Sequence, residues 1–318
     1  MTRINDIFFS DIYITPEKVA YIPDDLTESG LQIFEASDFD AFYQLVESSY
    51  EGNSSYSISY ENILFRVERS MTITGIQYCI RKMPQSVPDL DKLGYRKDIV
   101  NYLTSLSKAS GLILWAGSTG SGKTTSISAL LKEFLMREGG FAYTIEDPSE
   151  MPLDGEYTAF NGAFGLCKQT QPINNNWGDC LKSALRSKPR YILVGEIRSP
   201  DAASECLRAA TSGHLVLSTI HANNIADAIN SIVKYASSSD MSEDLAYDLL
   251  SRGMLAIMHQ NLKGVGQKVP VLRFVFANPD TTKGCQVRSI IKSGKINLAT
   301  AIETQMTRMM QGRPLFEM

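Results

Sequence analysis

AGSTGSGKTT, residues 116–125, matches the G-x-x-x-x-G-K-[ST] pattern through Gly117, Gly122, Lys123 and Thr124. An apolar run, Leu112 to Ala116, precedes it and an amphipathic run, Thr124 to Met136, follows, so the stretch reads as strand, loop and helix. A loop of this kind wraps phosphate. Its glycines let the backbone come close, amide N–H groups at the start of the helix face the anion, and the Lys123 ammonium reaches the β/γ oxygens. The hydroxyl of Thr124 is offered to Mg²⁺. The whole of Gly117, Ser118, Thr119, Gly120, Ser121, Gly122, Lys123, Thr124 and Thr125 is therefore expected to bind nucleotide. ATP is the expected one, because the guanine-specifying N-K-x-D pattern is absent.

Outward from the loop, strands and helices alternate from Arg96 onward. GLILWAG, FAYTIED, YILVGEI and HLVLSTI are apolar runs separated by helical stretches, which predicts an α/β fold with a mostly parallel sheet. Residues 154–178, polar and rich in Gly and Asn, read as an irregular excursion. Residues 1–83 read differently. SDIYIT and KVAYIP alternate, LQIFEASDFDAFYQLVESSY is helical, and ISYENILFRVERS and TGIQYCIRK are each a strand, giving a smaller α+β domain. The two prolines in residues 84–95 mark a linker, and 96–318 form the second domain.

Composition bounds the function. A net charge of −4 argues against nucleic acid as a direct partner. The five cysteines are scattered with no C-x-x-C pair, so neither a disulfide framework nor a zinc knuckle is expected. The opening residues lack a signal-peptide core and no apolar run is long enough to span a bilayer. A cytoplasmic protein is expected.

In open α/β sheets ligands sit beyond the carboxyl ends of the strands. The polar residues there are Glu146, Asp147 and Glu150 after the second apolar run, Glu196 and Arg198 after the third, and His221 after the fourth, with His214 at its start. The segments AGSTGSGKTT, YTIEDPSE, ILVGEIR and TSGHLVLSTIHAN, in that order, resemble the phosphate loop, Asp box, Walker B segment and His box of the type II/IV secretion ATPase superfamily. Beyond them MHQNL (258–262), VLRFVFANP and QVRSIIKSGKINLATAI are most similar to the PilT-like type IV pilus retraction group. The tetracysteine insert of GspE-type members is missing, and Ser149 and Ser199 stand where the family has an apolar and an acidic residue.

The resemblance implies a RecA-like ATPase domain behind a PAS-like N-terminal domain, and ATP hydrolysis with Mg²⁺. It assigns Glu150 as the base that activates water, Glu196 with Thr124 as the holder of the Mg²⁺ water shell, and His221 as a γ-phosphate sensor. Glu146, Asp147 and Arg198 support them. Arg66 and Arg81 match the finger arginines, brought to the phosphates when the domains close. It further implies a homohexamer docked on an inner-membrane platform protein, peripheral to the membrane, powering pilus retraction. An ATPase for pilus extension or for type IV secretion or conjugation would look similar, and a nucleotide-binding regulator with negligible hydrolysis is the alternative of another class.

Overall fold

The computed structural model describes residues 2–23, 30–172, 176–264 and 269–316. Two compact units divide the chain: Met1–Ser86 with Pro148–Pro152, and Val87–Asp147 with Leu153–Met318.

In the first unit the described strands are β1 (Phe9–Ile14), β2 (Val19–Pro23), β3 (Gln32–Ile33), β4 (Ser55–Tyr60), β5 (Ile63–Thr72) and β6 (Gly75–Lys82), with helix α1 (Phe39–Ser48) between β3 and β4. They pair antiparallel in the order β3-β2-β1-β6-β5-β4. Alternation sends Ile12, Phe65, Val67 and Ile80 to the face packed on α1, where Phe42 stands edge-on to Phe65 at 5.1 Å. The segment ISYENILFRVERS is two strands rather than one. Glu61 and Asn62 both have positive φ (49° and 65°), the two-residue geometry that folds a hairpin back with the twist of its strands. The expected helix from Leu31 is also shorter. It begins at Phe39, because Gln32 and Ile33 pair with β2.

The opposite face of this sheet is charged. Arg66 and Arg81 are direct cross-strand partners, and Arg81 in turn pairs with Asp11 of β1. The Arg81 Nε donates to Asp11 Oδ1 at 2.8 Å, the carboxylate side chain being 8% exposed and the guanidinium 58%. Arg81→Ala leaves that carboxylate without its ion pair, and a loss of about 1–2 kcal/mol is expected, discounted for the exposed arginine. Urea unfolding of the full chain checks it: Asp11→Asn should cancel most of the loss in the double variant, and an unchanged midpoint for Arg81→Ala would refute the coupling.

The second unit contains α2 (Lys97–Ser105), β7 (Gly111–Gly117), α3 (Lys123–Glu138), β8 (Gly140–Ile145), β9 (Gly155–Thr158), β10 (Phe164–Thr170), α4 (Trp177–Arg186), β11 (Tyr191–Glu196), α5 (Pro200–Ala210), β12 (Leu215–His221), α6 (Ile225–Ser237), α7 (Glu243–Gly253), β13 (Met254–Lys263), β14 (Val269–Phe276), α8 (Gln286–Lys292) and α9 (Ala299–Met310). Among the described residues the sheet order is β14-β13-β7-β12-β11-β8-β10-β9. β13 through β10 run parallel, and the two edge strands are antiparallel. β7 is buried along its whole length, as a central parallel strand covered on both faces must be. Leu112, Leu114 and Ala116 share one core with α5, α6 and α7, while Ile113 and Trp115 point to the other face.

One expectation needs correction here. Residues 154–178 hold β9 and β10, a hairpin added to the sheet edge, and residues 173–175 of that stretch lie outside the described ones. Within QVRSIIKSGKINLATAI, α8 stops at Lys292, with Gly294 at φ 68° just beyond. No described helix is long and apolar enough to cross a membrane.

Candidate functional site

Register alone gathers most of the singled-out residues along one rim of the second sheet. His221 pairs with Gly117 across β12 and β7, Glu196 with Thr219 across β11 and β12, and Val194 with Ile145 across β11 and β8. Neighbouring strands lie about 4.8 Å apart. The phosphate loop, His221, Glu196 and the pair Glu146–Asp147 thus occupy four successive strand ends.

At the loop the strand ends in Gly117 at φ 155°, and Gly122 opens α3 at φ 83°. Ser118, Thr119 and Gly120 are exposed, whereas Ser121 and Lys123 are buried. The Lys123 ammonium donates to Ser118 O at 2.9 Å, so its side chain spans the loop. Thr124 and Thr125 are half-buried in the first helical turn. α3 has no acidic residue in that turn, and its N-cap Gly122 makes no side-chain cap. The turn carries N–H donors and the positive end of a helix dipole. These features fit a bound phosphate chain, and the Thr124 hydroxyl with the Glu196 carboxylate is a donor set that fits Mg²⁺, which takes few protein ligands and keeps waters.

Glu196 is half-buried, and Arg198 donates to its Oε2 through Nε at 2.7 Å and through Nη2. The contact aims the carboxylate. Glu146 is buried, accepts from the Gln169 amide at 2.9 Å, and lies against Gly195, where an added Cβ would be 3.1 Å from the Glu146 Cγ. It lies within the sheet rather than at its surface. Asp147 is exposed. Ser199, instead of an acidic residue, caps α5 by accepting from Ala202 N at 3.3 Å, ahead of Pro200.

Not every candidate joins this rim. Glu150 falls in Pro148–Pro152, which groups with the first unit, as Arg66 and Arg81 do. His214 is at the far end of β12, where its Nδ1 lies 2.7 Å from Pro189 O, a structural tie.

Sequence reading passed over His259. It is buried on β13 opposite Ala116 and hydrogen-bonds the backbone of Ala222, next to His221; burial lowers its pKa and keeps the ring neutral. Its signal in the sequence is a polar pair, His259 and Gln260, directly after the apolar run MLAIM. Burial likewise pushes the Cys167 thiol up to about 12, which makes it inert.

The chain is 29% identical over 260 residues to a twitching motility protein of Neisseria gonorrhoeae, covering 80% of this chain and 65% of that one. It is 35% identical over 173 residues to the type IV pilus assembly ATPase PilB of Acinetobacter baylyi, covering 53% of this chain and 28% of that one. The chain thus spans less than two thirds of the length of these curated relatives. The crystal structure of the pilus retraction motor PilT with bound ADP superposes at a TM-score of 0.71 with 25% identity, over 99% of this chain and 91% of that one. The family described as type II/IV secretion system protein matches residues 50–309, and the chain belongs to that family.

Proposed function

We propose that this protein is an Mg²⁺-dependent ATPase working as a homohexameric motor that powers type IV pilus retraction. The observation that carries the reading is the reach of the sequence likeness: the twitching motility protein aligns over 80% of the chain, whereas the assembly ATPase aligns over 53%.

On this reading ATP lies with its phosphates in the loop Gly117–Thr125. Lys123 turns from Ser118 O to the β/γ oxygens, and α3 supports them with its N-terminal amides. Bound Mg²⁺ would neutralise charge on those oxygens, held by Thr124 and, through its waters, by Glu196. Arg198 aims Glu196, and His221, beside Gly117, reports on the γ-phosphate. Glu150 takes the proton of the attacking water. Arg66 and Arg81 serve as fingers, a role worth about 10³ to 10⁵ in rate in other phosphate-loop enzymes. The ring works at the cytoplasmic face of the inner membrane, docked on a platform protein of the pilus apparatus.

Higher identity to the assembly ATPase over the shorter stretch favours a second reading, a motor for pilus extension or secretion. Deleting the gene separates the two. Retraction predicts cells with assembled pili that no longer shorten under fluorescence imaging, with loss of twitching. Cells without pili, or with normal pilus dynamics and a secretion or conjugation defect, would transfer the assignment.

A further inference from the structure

The geometry points to Gln260 as the positioning residue of the phosphate loop, a clamp that holds the loop in its phosphate-binding shape before nucleotide arrives. This rests on the ATP-binding reading above.

Gln260 lies on β13, 2% exposed, the last of seven consecutive buried residues of which Met254 to Met258 are apolar. A buried primary amide must find partners for its oxygen and its N–H groups. Its Oε1 is 2.6 Å from Trp115 Nε1, 2.7 Å from the Tyr95 hydroxyl and 3.0 Å from Ser126 Oγ. Indole N–H only donates, so the atom facing Trp115 is the oxygen and the amide orientation is determined. Nε2 then points to the loop and donates to Ser121 O at 2.6 Å.

The hydroxyl protons fit that arrangement. Tyr95 also touches Ser126 Oγ, and Ser126 Oγ is 2.8 Å from Gly122 O. With one proton each, Tyr95 can give to Gln260 while Ser126 gives to Gly122 O, an arrangement in which Oε1 receives the indole and one hydroxyl and the Gly122 carbonyl is bonded as well. Burial raises the pKa of Tyr95, which keeps its proton in place.

What the clamp does to the loop follows from peptide planarity. In a trans peptide C=O and N–H point in opposite directions. Tying Ser121 C=O inward to Gln260 turns the N–H of Gly122 outward, toward the concave side that takes phosphate. Ser126, where it donates to Gly122 O, does the same for the N–H of Lys123. The loop's two motif glycines also close on this one residue. A Cβ on Gly117 would lie 2.5 Å from Gln260 O, and one on Gly122 would lie 2.9 Å from Gln260 Nε2. Methionine would fill the same volume with no polar group to satisfy, so packing alone does not call for an amide here. Amide geometry is what orients the loop, and a pre-oriented loop loses less freedom when the ligand binds.

The test uses the full chain, with ADP as the probe, titrated well below the melting temperature of each variant. Gln260→Met removes the clamp and keeps the volume, and about a tenfold loss of ADP affinity is expected while the folded signal persists. Gln260→Glu, measured at pH 8, keeps an acceptor for Trp115, Tyr95 and Ser126 but sets a carboxylate oxygen against Ser121 O. It should lose at least as much, with the affinity recovering at lower pH as the carboxyl gains a proton to donate. A purely structural role would lower the melting temperature and leave the affinity of the folded protein unchanged. Folded Gln260→Met binding ADP within twofold of wild type overturns the inference; if that variant does not fold, Gln260→Glu binding within twofold at pH 8 overturns it. Wild type that fails to bind ADP would instead sink the ATPase reading itself.

Discussion

Lys123→Ala should bring ATP hydrolysis down to background, the larger of the two strongest effects expected here. The ammonium is buried at the first turn of α3 and already bridges the loop through Ser118 O. On the ATPase reading it is the one side-chain cation of the motif on the β/γ oxygens. Alanine removes a charge-assisted contact that strengthens as negative charge develops, and the rate should fall by about 10² to 10³ or more. Nucleotide affinity should fall as well. Phosphate release from purified protein with Mg²⁺ and ATP measures the first, and a calorimetric titration with ADP the second. Wild-type turnover in the alanine variant would remove the loop from the chemistry altogether.

Glu150→Gln is expected to separate binding from turnover. The amide keeps the size and the hydrogen-bonding reach of the half-buried carboxylate but accepts no proton at neutral pH. General-base catalysis contributes about 10² to 10⁴ in rate, and that range is the expected drop in hydrolysis, with ADP affinity held within about threefold. The distribution of the loss is the informative part. Parallel loss of affinity and turnover would make Glu150 a structural residue of Pro148–Pro152 and move the base elsewhere, with Glu196 the next carboxylate to examine.

Both predictions concern residues that could be singled out before any coordinates, and the reason is local. A phosphate loop is written in ten contiguous residues, because the positive φ of Gly117 and Gly122 and the start of α3 depend on neighbours in sequence. The parallel strands were legible for a similar reason: β7, β8, β11 and β12 are buried on both faces, and that burial demands near-continuous apolar runs. Where alternation was weaker the reading failed. β10 keeps Phe164 and Leu166 exposed among polar residues, so it carries little of the pattern of a half-buried strand, and its pairing with β8 defines it instead. The Glu61–Asn62 turn was hidden because neither residue is glycine, although both adopt positive φ.

By itself, then, the sequence determined the phosphate loop, the α/β alternation around it and the carboxylates and histidine at the strand ends, since each rests on backbone conformation or burial within one short segment. Only the tertiary structure decided which of these stand side by side. The pairing of His221 with Gly117 and the adjacency of Arg66, Arg81 and Asp11 depend on strand order and register. The same holds for Gln260, Trp115, Tyr95 and Ser126, which lie far apart in the chain and meet under the loop. A hydrogen bond is selective over tenths of an ångström, and strand register is set by packing across the whole sheet, so no local stretch of residues could specify that meeting.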